Sequence, residues 1–178
     1  MASHAALLII DVINELEFEH GEQLLQNALP IIEPINLLRQ KASDRGMPVI
    51  YVNDMFGHWQ SNINKIVEKG LKGIGRPIAE GLMPTESDYF IVKPKHSGFF
   101  STPLATLLTQ LQVDTLILTG IAGNICVLFT ANDAYMREYH LHIPADCVAS
   151  NAKEDNEYAL KLMKHTLKAD TTPAVKLK

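Results

Sequence analysis

A chain of 178 residues has the length of one domain, and 47% hydrophobic with 20% charged residues is the balance of a globular protein, which excludes a disordered chain. The net charge of −4 carries no run of Lys or Arg, so neither nucleic acid nor an anionic membrane surface is an expected partner, and a small molecule is. No apolar stretch approaches the roughly 20 residues that span a bilayer.

The opening MASHAALLIIDV has only a few apolar residues, no Lys or Arg before them and no small-residue cleavage site behind them, so it reads as a first strand rather than a signal peptide. Cys126 and Cys147, without an export signal, read as free thiols of a reducing compartment, and the expected location is cytoplasmic. The apolar run at 6–10 ends in Asp11. A second, β-branched run at 49–53 follows Arg45-Gly46-Met47-Pro48. Between them Ile35, Leu38 and Ala42 recur at helical spacing, with Gly46 and Pro48 as the stop, completing a βαβ unit.

Residues 54–84 are less regular, with five glycines between Gly57 and Gly81, and are expected to mix a short helix with loops that cover a pocket. The alternation then resumes: strand 88–93, helix 103–111, strand 115–120, helix 126–138, a fifth strand at 141–147, a helix at 154–168, and a final edge strand at 173–177. Strands alternating with helices predict a parallel sheet covered on both faces, a three-layer α/β/α sandwich forming one domain over residues 1–178.

In such sheets ligands bind beyond the carboxyl ends of the strands, where strand order reverses. Those ends carry Asp11, Asn53-Asp54, Lys93 and the turn Gly120-Ile121-Ala122-Gly123-Asn124-Ile125-Cys126. Alone, Asp11 reads as a turn-capping carboxylate, Lys93 as a rim charge and Cys126 as a packed thiol. Together they place an acid, a base and a thiol on one edge. With Asn124 as the helix N-cap, Cys126 falls in the first helical turn, where the helix dipole and a nearby Lys are expected to lower its pKa. Cys147 has no basic neighbour in sequence and reads as packing.

These strand ends, with LTGIAGNICVLFTANDAY and KPKHSGFFSTPL, resemble the isochorismatase-like cysteine hydrolases, which include nicotinamidases and carbamoylsarcosine and ureidoacrylate amidohydrolases. The family's Asp, its Lys followed by Ser-x-Phe and Thr-x-Leu, and its Gly-rich nucleophile turn fall on Asp11, on Lys93 with Ser97, Phe99, Thr102 and Leu104, and on Gly120 to Cys126. The resemblance implies a six-stranded parallel sheet of order 3-2-1-4-5-6, a cis peptide at Ile121-Ala122, a homo-oligomer, and a triad of Asp11, Lys93 and Cys126. In the implied reaction the thiolate attacks a small amide, and the N–H groups of Ala122 and Cys126 hold the oxyanion.

Nicotinamidases of this family bind a metal through Asp-x-His and a second His, whereas this chain reads Asp54-Met55-Phe56-Gly57-His58, so neither a metal nor another cofactor is expected. Phe18, Phe56, Trp59, His96 and Asn124 are the candidates for the pocket wall. Two other readings compete with amide hydrolysis: vinyl-ether hydrolysis with Asp11 as general acid, and a non-enzymatic thiol sensor or binding module built around Cys126.

Overall fold

The computed structural model describes residues 4–55, 57, 59 and 62–176; Phe56 and His58 of the pocket and metal readings, and Leu177 of the expected last strand, lie outside them. The first strand, β1 (Ala5–Ile10), is flanked in parallel by β2 (Val49–Asp54) and β4 (Thr115–Ile121), and β3 (Tyr89–Lys93) lies beyond β2. With β5 (His140–His142) on the far side, the order is β3-β2-β1-β4-β5, and β6 (Val148–Ala149) also pairs with β4. This is the predicted α/β class and order, with the sense in which strands are added reversing between β1 and β4.

Two cores form because alternate side chains of a strand face opposite sides. Ala6, Leu8 and Ile10 of β1 pack with Leu104 and Leu108 of α5 (Leu104–Gln110), Ala131 and Ala134 of α6 (Leu128–Met136), and Ala159 and Met163 of α7 (Lys153–His165). Leu7 and Ile9 face the other way, onto Leu24 and Ala28 of α1 (Gly21–Ala28) and Ile35, Leu38 and Ala42 of α2 (Ile32–Arg45). Gly46 ends α2 in the left-handed region at φ 61°, the conformation that glycine adopts without penalty. The irregular stretch contains two short helices, α3 (Ile63–Gly70) and α4 (Arg76–Gly81), whose Ile66, Ile78 and Ala79 join the second core.

The right-hand edge departs from the sequence reading. The expected strand at 141–147 stops at His142, because Pro144 has no N–H to donate and its carbonyl instead receives the Cys147 N–H in a turn; the chain then rejoins β4 at Val148. The expected edge strand at 173–177 is a 3-10 turn over Ala174–Lys176. It is capped by the Asp146 carboxylate, which accepts the N–H groups of Ala174 at 2.7 Å and Val175 at 3.4 Å. On the edge of β5 away from β4, a parallel bridge joins His142 to Asp170.

Candidate active site

Strand register brings the candidate residues together. Ile10 pairs with Val52 and with Gly120, and Asp54 pairs with Lys93, so the carboxyl ends of β1, β2, β3 and β4 lie side by side. Asp11, one residue past β1, has φ 54°, a conformation that Asp tolerates better than most residues. Its N–H bonds the Val52 carbonyl at 3.0 Å, and its Oδ1 accepts the Asp54 N–H at 2.7 Å. The buried Asn53 amide grips both the N–H and the carbonyl of Ile13, fixing the loop that follows.

Lys93 is completely buried, and its Nζ lies 2.8 Å from Asp11 Oδ2 and 3.4 Å from Asp54 Oδ2. The same ammonium donates to the Lys95 carbonyl at 3.2 Å and to Cys126 Sγ at 3.5 Å. Burial alone would depress the Lys93 pKa, but the negative groups around it reverse the sign and hold it above the ordinary lysine value.

The turn that leads into Cys126 is shaped by close packing. Gly120 sits at φ 109°, and a Cβ there would lie 2.1 Å from the Ile10 carbonyl oxygen, so only glycine lets β4 approach β1 here. The Ile121-Ala122 peptide is cis, and the chain then enters a π turn, Gly123–Val127, before α6. The Ala122 carbonyl receives the N–H groups of Ile125 at 3.0 Å and Val127 at 3.1 Å.

Asn124 does not cap this turn with its side chain, as the sequence reading expected. Ser150 Oγ accepts the Asn124 N–H at 3.1 Å and itself donates to Asn156 Oδ1 at 2.9 Å, while Asn124 Oδ1 is buried without a partner among the described residues.

A second correction concerns the thiol. Burial, and then the charge of Asp11, outweigh Lys93 and push the Cys126 pKa up to about 12, so the resting sulfur carries its proton. Burial also raises the Asp11 pKa, against the pull of Lys93. Two acidic groups therefore share one ammonium.

Of the pocket candidates, His96 is brought to the site: its Nδ1 is 3.9 Å from Cys126 Sγ and its ring meets Phe129 edge-on at 5.4 Å. Phe18 is half-exposed and lines a surface hollow with Leu16, Glu17, His20 and Ile74 that no triad residue lines. Trp59 is 79% exposed.

The sequence reading missed the struts that hold the loop after Lys93 to α6. Thr130 Oγ1 accepts the Gly98 N–H at 3.0 Å and donates to the Cys126 carbonyl at 2.7 Å, and Ser97 Oγ donates to Asp133. The available signal was their spacing, four and seven residues past Cys126 on one helix face.

The donor set does not fit the metal centre attributed to nicotinamidases. Position 56 is Phe, the Asp54 carboxylate faces the Lys93 ammonium, and among the described residues no three His, Cys, Asp or Glu side chains gather as metal ligands.

Residues 5–173 match the Isochorismatase domain family. The chain is 51% identical over 167 residues to an uncharacterized isochorismatase family protein, YaaI, of Bacillus subtilis, covering 94% of this chain and 92% of that protein. It is 29% identical over 162 residues to the ureidoacrylate amidohydrolase RutB of Klebsiella pneumoniae, covering 76% of this chain and 69% of the relative. Among solved structures it is similar to the nicotinamidase PncA from Bacillus subtilis, with TM-score 0.76, 29% identity and 96% and 99% of the two chains covered. N-carbamoylsarcosine amidase from Thermoplasma acidophilum superposes with TM-score 0.77, 25% identity and 98% of each chain covered. With a family match spanning nearly its whole length and amidohydrolases among its relatives, this chain belongs to the isochorismatase family of hydrolases.

Proposed function

We propose that the chain is a cysteine amidohydrolase that cleaves the C–N bond of a small amide through a thioester on Cys126. The observation that carries this reading is one buried ammonium, Lys93 Nζ, within reach of both Asp11 Oδ2 at 2.8 Å and Cys126 Sγ at 3.5 Å. The names of the relatives, two amidases and an amidohydrolase, support amide chemistry.

The Asp11 carboxylate takes the thiol proton: burial raises its pKa and so makes it a better base than an exposed aspartate, and the pair keeps the same net charge beside Lys93. The thiolate, facing Lys93, attacks the carbonyl carbon. The N–H groups of Ala122 and Cys126 are assigned to the oxyanion, where each such donor typically contributes about 3 kcal/mol. Collapse expels the amine, which leaves with the proton that Asp11 took from sulfur. A water deprotonated by Asp11 then cleaves the thioester, and the thiol is restored. No step passes through a metal.

The raised Asp11 pKa also suits a general acid and so favours, as a second reading, vinyl-ether hydrolysis in which Cys126 is a bystander. Ammonia release from a panel of small primary amides tests the first reading. Turnover by the wild type that disappears on Cys126→Ala and on thiol alkylation supports it, and turnover that survives both changes contradicts it.

A further inference from the structure

Polar side chains reach the Cys126 sulfur from two sides. Lys93, with Nζ at 3.5 Å, and Asp11, whose carboxylate hydrogen-bonds the thiol, are buried, whereas His96, with Nδ1 at 3.9 Å, is exposed. The His96 side is therefore the one from which a substrate meets the sulfur. The exposed ring is nevertheless held in place by what surrounds it. Ser97 Oγ donates to Asp133 and accepts the Phe99 N–H at 3.1 Å, Thr130 Oγ1 accepts the Gly98 N–H at 3.0 Å, and the imidazole meets Phe129 edge-on at 5.4 Å. A ring nitrogen on a braced loop, rather than on a mobile surface segment, thus faces the approach to the thiol.

In the proposed reaction the leaving nitrogen takes its proton from Asp11. That nitrogen must turn its lone pair toward the buried carboxyl, so its own N–H bonds point away from Asp11, toward the exposed side. A nitrogen bonded to the attacked carbon falls within hydrogen-bond reach of a ring atom 3.9 Å from the sulfur. We propose that His96 Nδ1 accepts an N–H of the scissile nitrogen, which makes His96 a catalytic residue and restricts the substrates to amides that keep a hydrogen on that nitrogen. The role requires the imidazole proton on Nε2. No proton changes hands at His96: the thiol proton passes to Asp11 and from Asp11 to the nitrogen. The acceptor contributes orientation, together with electron density on the nitrogen as it is protonated, because linked hydrogen bonds polarise one another. Primary and secondary carboxamides and ureides qualify, whereas esters and N,N-disubstituted amides have no hydrogen to give. The inference rests on the amidohydrolase reading and names the substrate class within it.

The test compares kcat/KM on primary amides and methyl esters of the same acyl group, acetamide with methyl acetate and benzamide with methyl benzoate, for wild type, His96→Phe and His96→Asn. The ester draws on the same thiol, oxyanion donors and Asp11 proton but has no N–H for His96. Phe keeps a ring against Phe129 and removes the acceptor, so amide kcat/KM should fall roughly tenfold to a hundredfold while ester kcat/KM stays within about threefold of wild type. Asn, whose Oδ1 can take the place of Nδ1, should return part of the lost amide rate, an outcome that a purely structural role for His96 does not produce. If His96→Phe fails to fold, His96→Ala is read in its place. Amide turnover that a folded variant leaves unchanged, or that falls in step with ester turnover, overturns this inference and leaves the amidohydrolase reading standing. Absence of amide turnover in the wild type removes that reading and this inference with it.

Discussion

Asp11 and Cys126 hold between them a proton that neither gives up easily, and the pH behaviour of the enzyme follows from that. Burial raises Asp11, so the carboxylate to which the proposed mechanism gives the thiol proton is lost at a higher pH than an ordinary aspartate as the solution is acidified. The acid limb of kcat/KM is therefore expected above the usual carboxylate range, as a pH-rate profile on an amide substrate would show. Replacing Asp11 with Asn removes the negative charge that helps push the thiol up, so thiolate ultraviolet absorbance should appear at lower pH than in wild type. Turnover should nevertheless fall by about a hundredfold or more, because the proposed proton acceptor is gone. Lys93→Met leaves Asp11 buried without its counter-charge, a loss that typically costs about 3–5 kcal/mol. A carboxyl with a raised folded-state pKa binds protons more readily folded than unfolded, so stability is greatest below its unfolded pKa and declines as pH rises through the folded one. The Met variant should accordingly be weakest at neutral pH and recover on acidification, read from urea melts at several pH values.

The turn into Cys126 and the loop after β3 depend on backbone fit. Gly120→Ala would press a methyl group onto the Ile10 carbonyl at a positive φ and should cost well over about 1 kcal/mol, whereas Gly46→Ala, which meets nothing within 4 Å, should cost only the left-handed backbone penalty of about 1 kcal/mol. Thr130→Val keeps the volume but orphans the Gly98 N–H, an expected loss of about 1–3 kcal/mol on thermal unfolding, with His96 released from its place beside the sulfur. At this scale the sequence was legible where one residue type forces one outcome. The apolar runs ending in Asp11 and Lys93 and the Gly46 stop all lie where patterning put them. It was illegible where a distant partner decides: Asp146 winding 174–176 into a turn, Ser150 taking the N–H of Asn124, and Asp54 facing Lys93 across the β2–β3 ladder. The Cys126 pKa was misread for the same reason, since helix start and nearby Lys can be inferred from sequence but depth of burial cannot.

The sheet belongs to both cores at once. Leu8 and Ile9 are fully buried on opposite faces of β1, so Leu8→Ala and Ile9→Ala should each cost about 2–5 kcal/mol while leaving a single cooperative unfolding transition. Two separated transitions in either variant would show that the layers fold independently. The reversal between β1 and β4, which the family resemblance implied and the alternation of strands and helices alone did not, is what gathers an acid, an ammonium and a thiol from three separate strand ends into one place. That gathering is only as meaningful as the bond it is proposed to make. Intact-mass spectrometry of wild type and Cys126→Ala after rapid acid quench with a panel of small primary amides tests it most directly. The account predicts a wild-type adduct of acyl mass that maps to Cys126 and is absent from the variant, whereas amide turnover by the variant at the wild-type rate would contradict it.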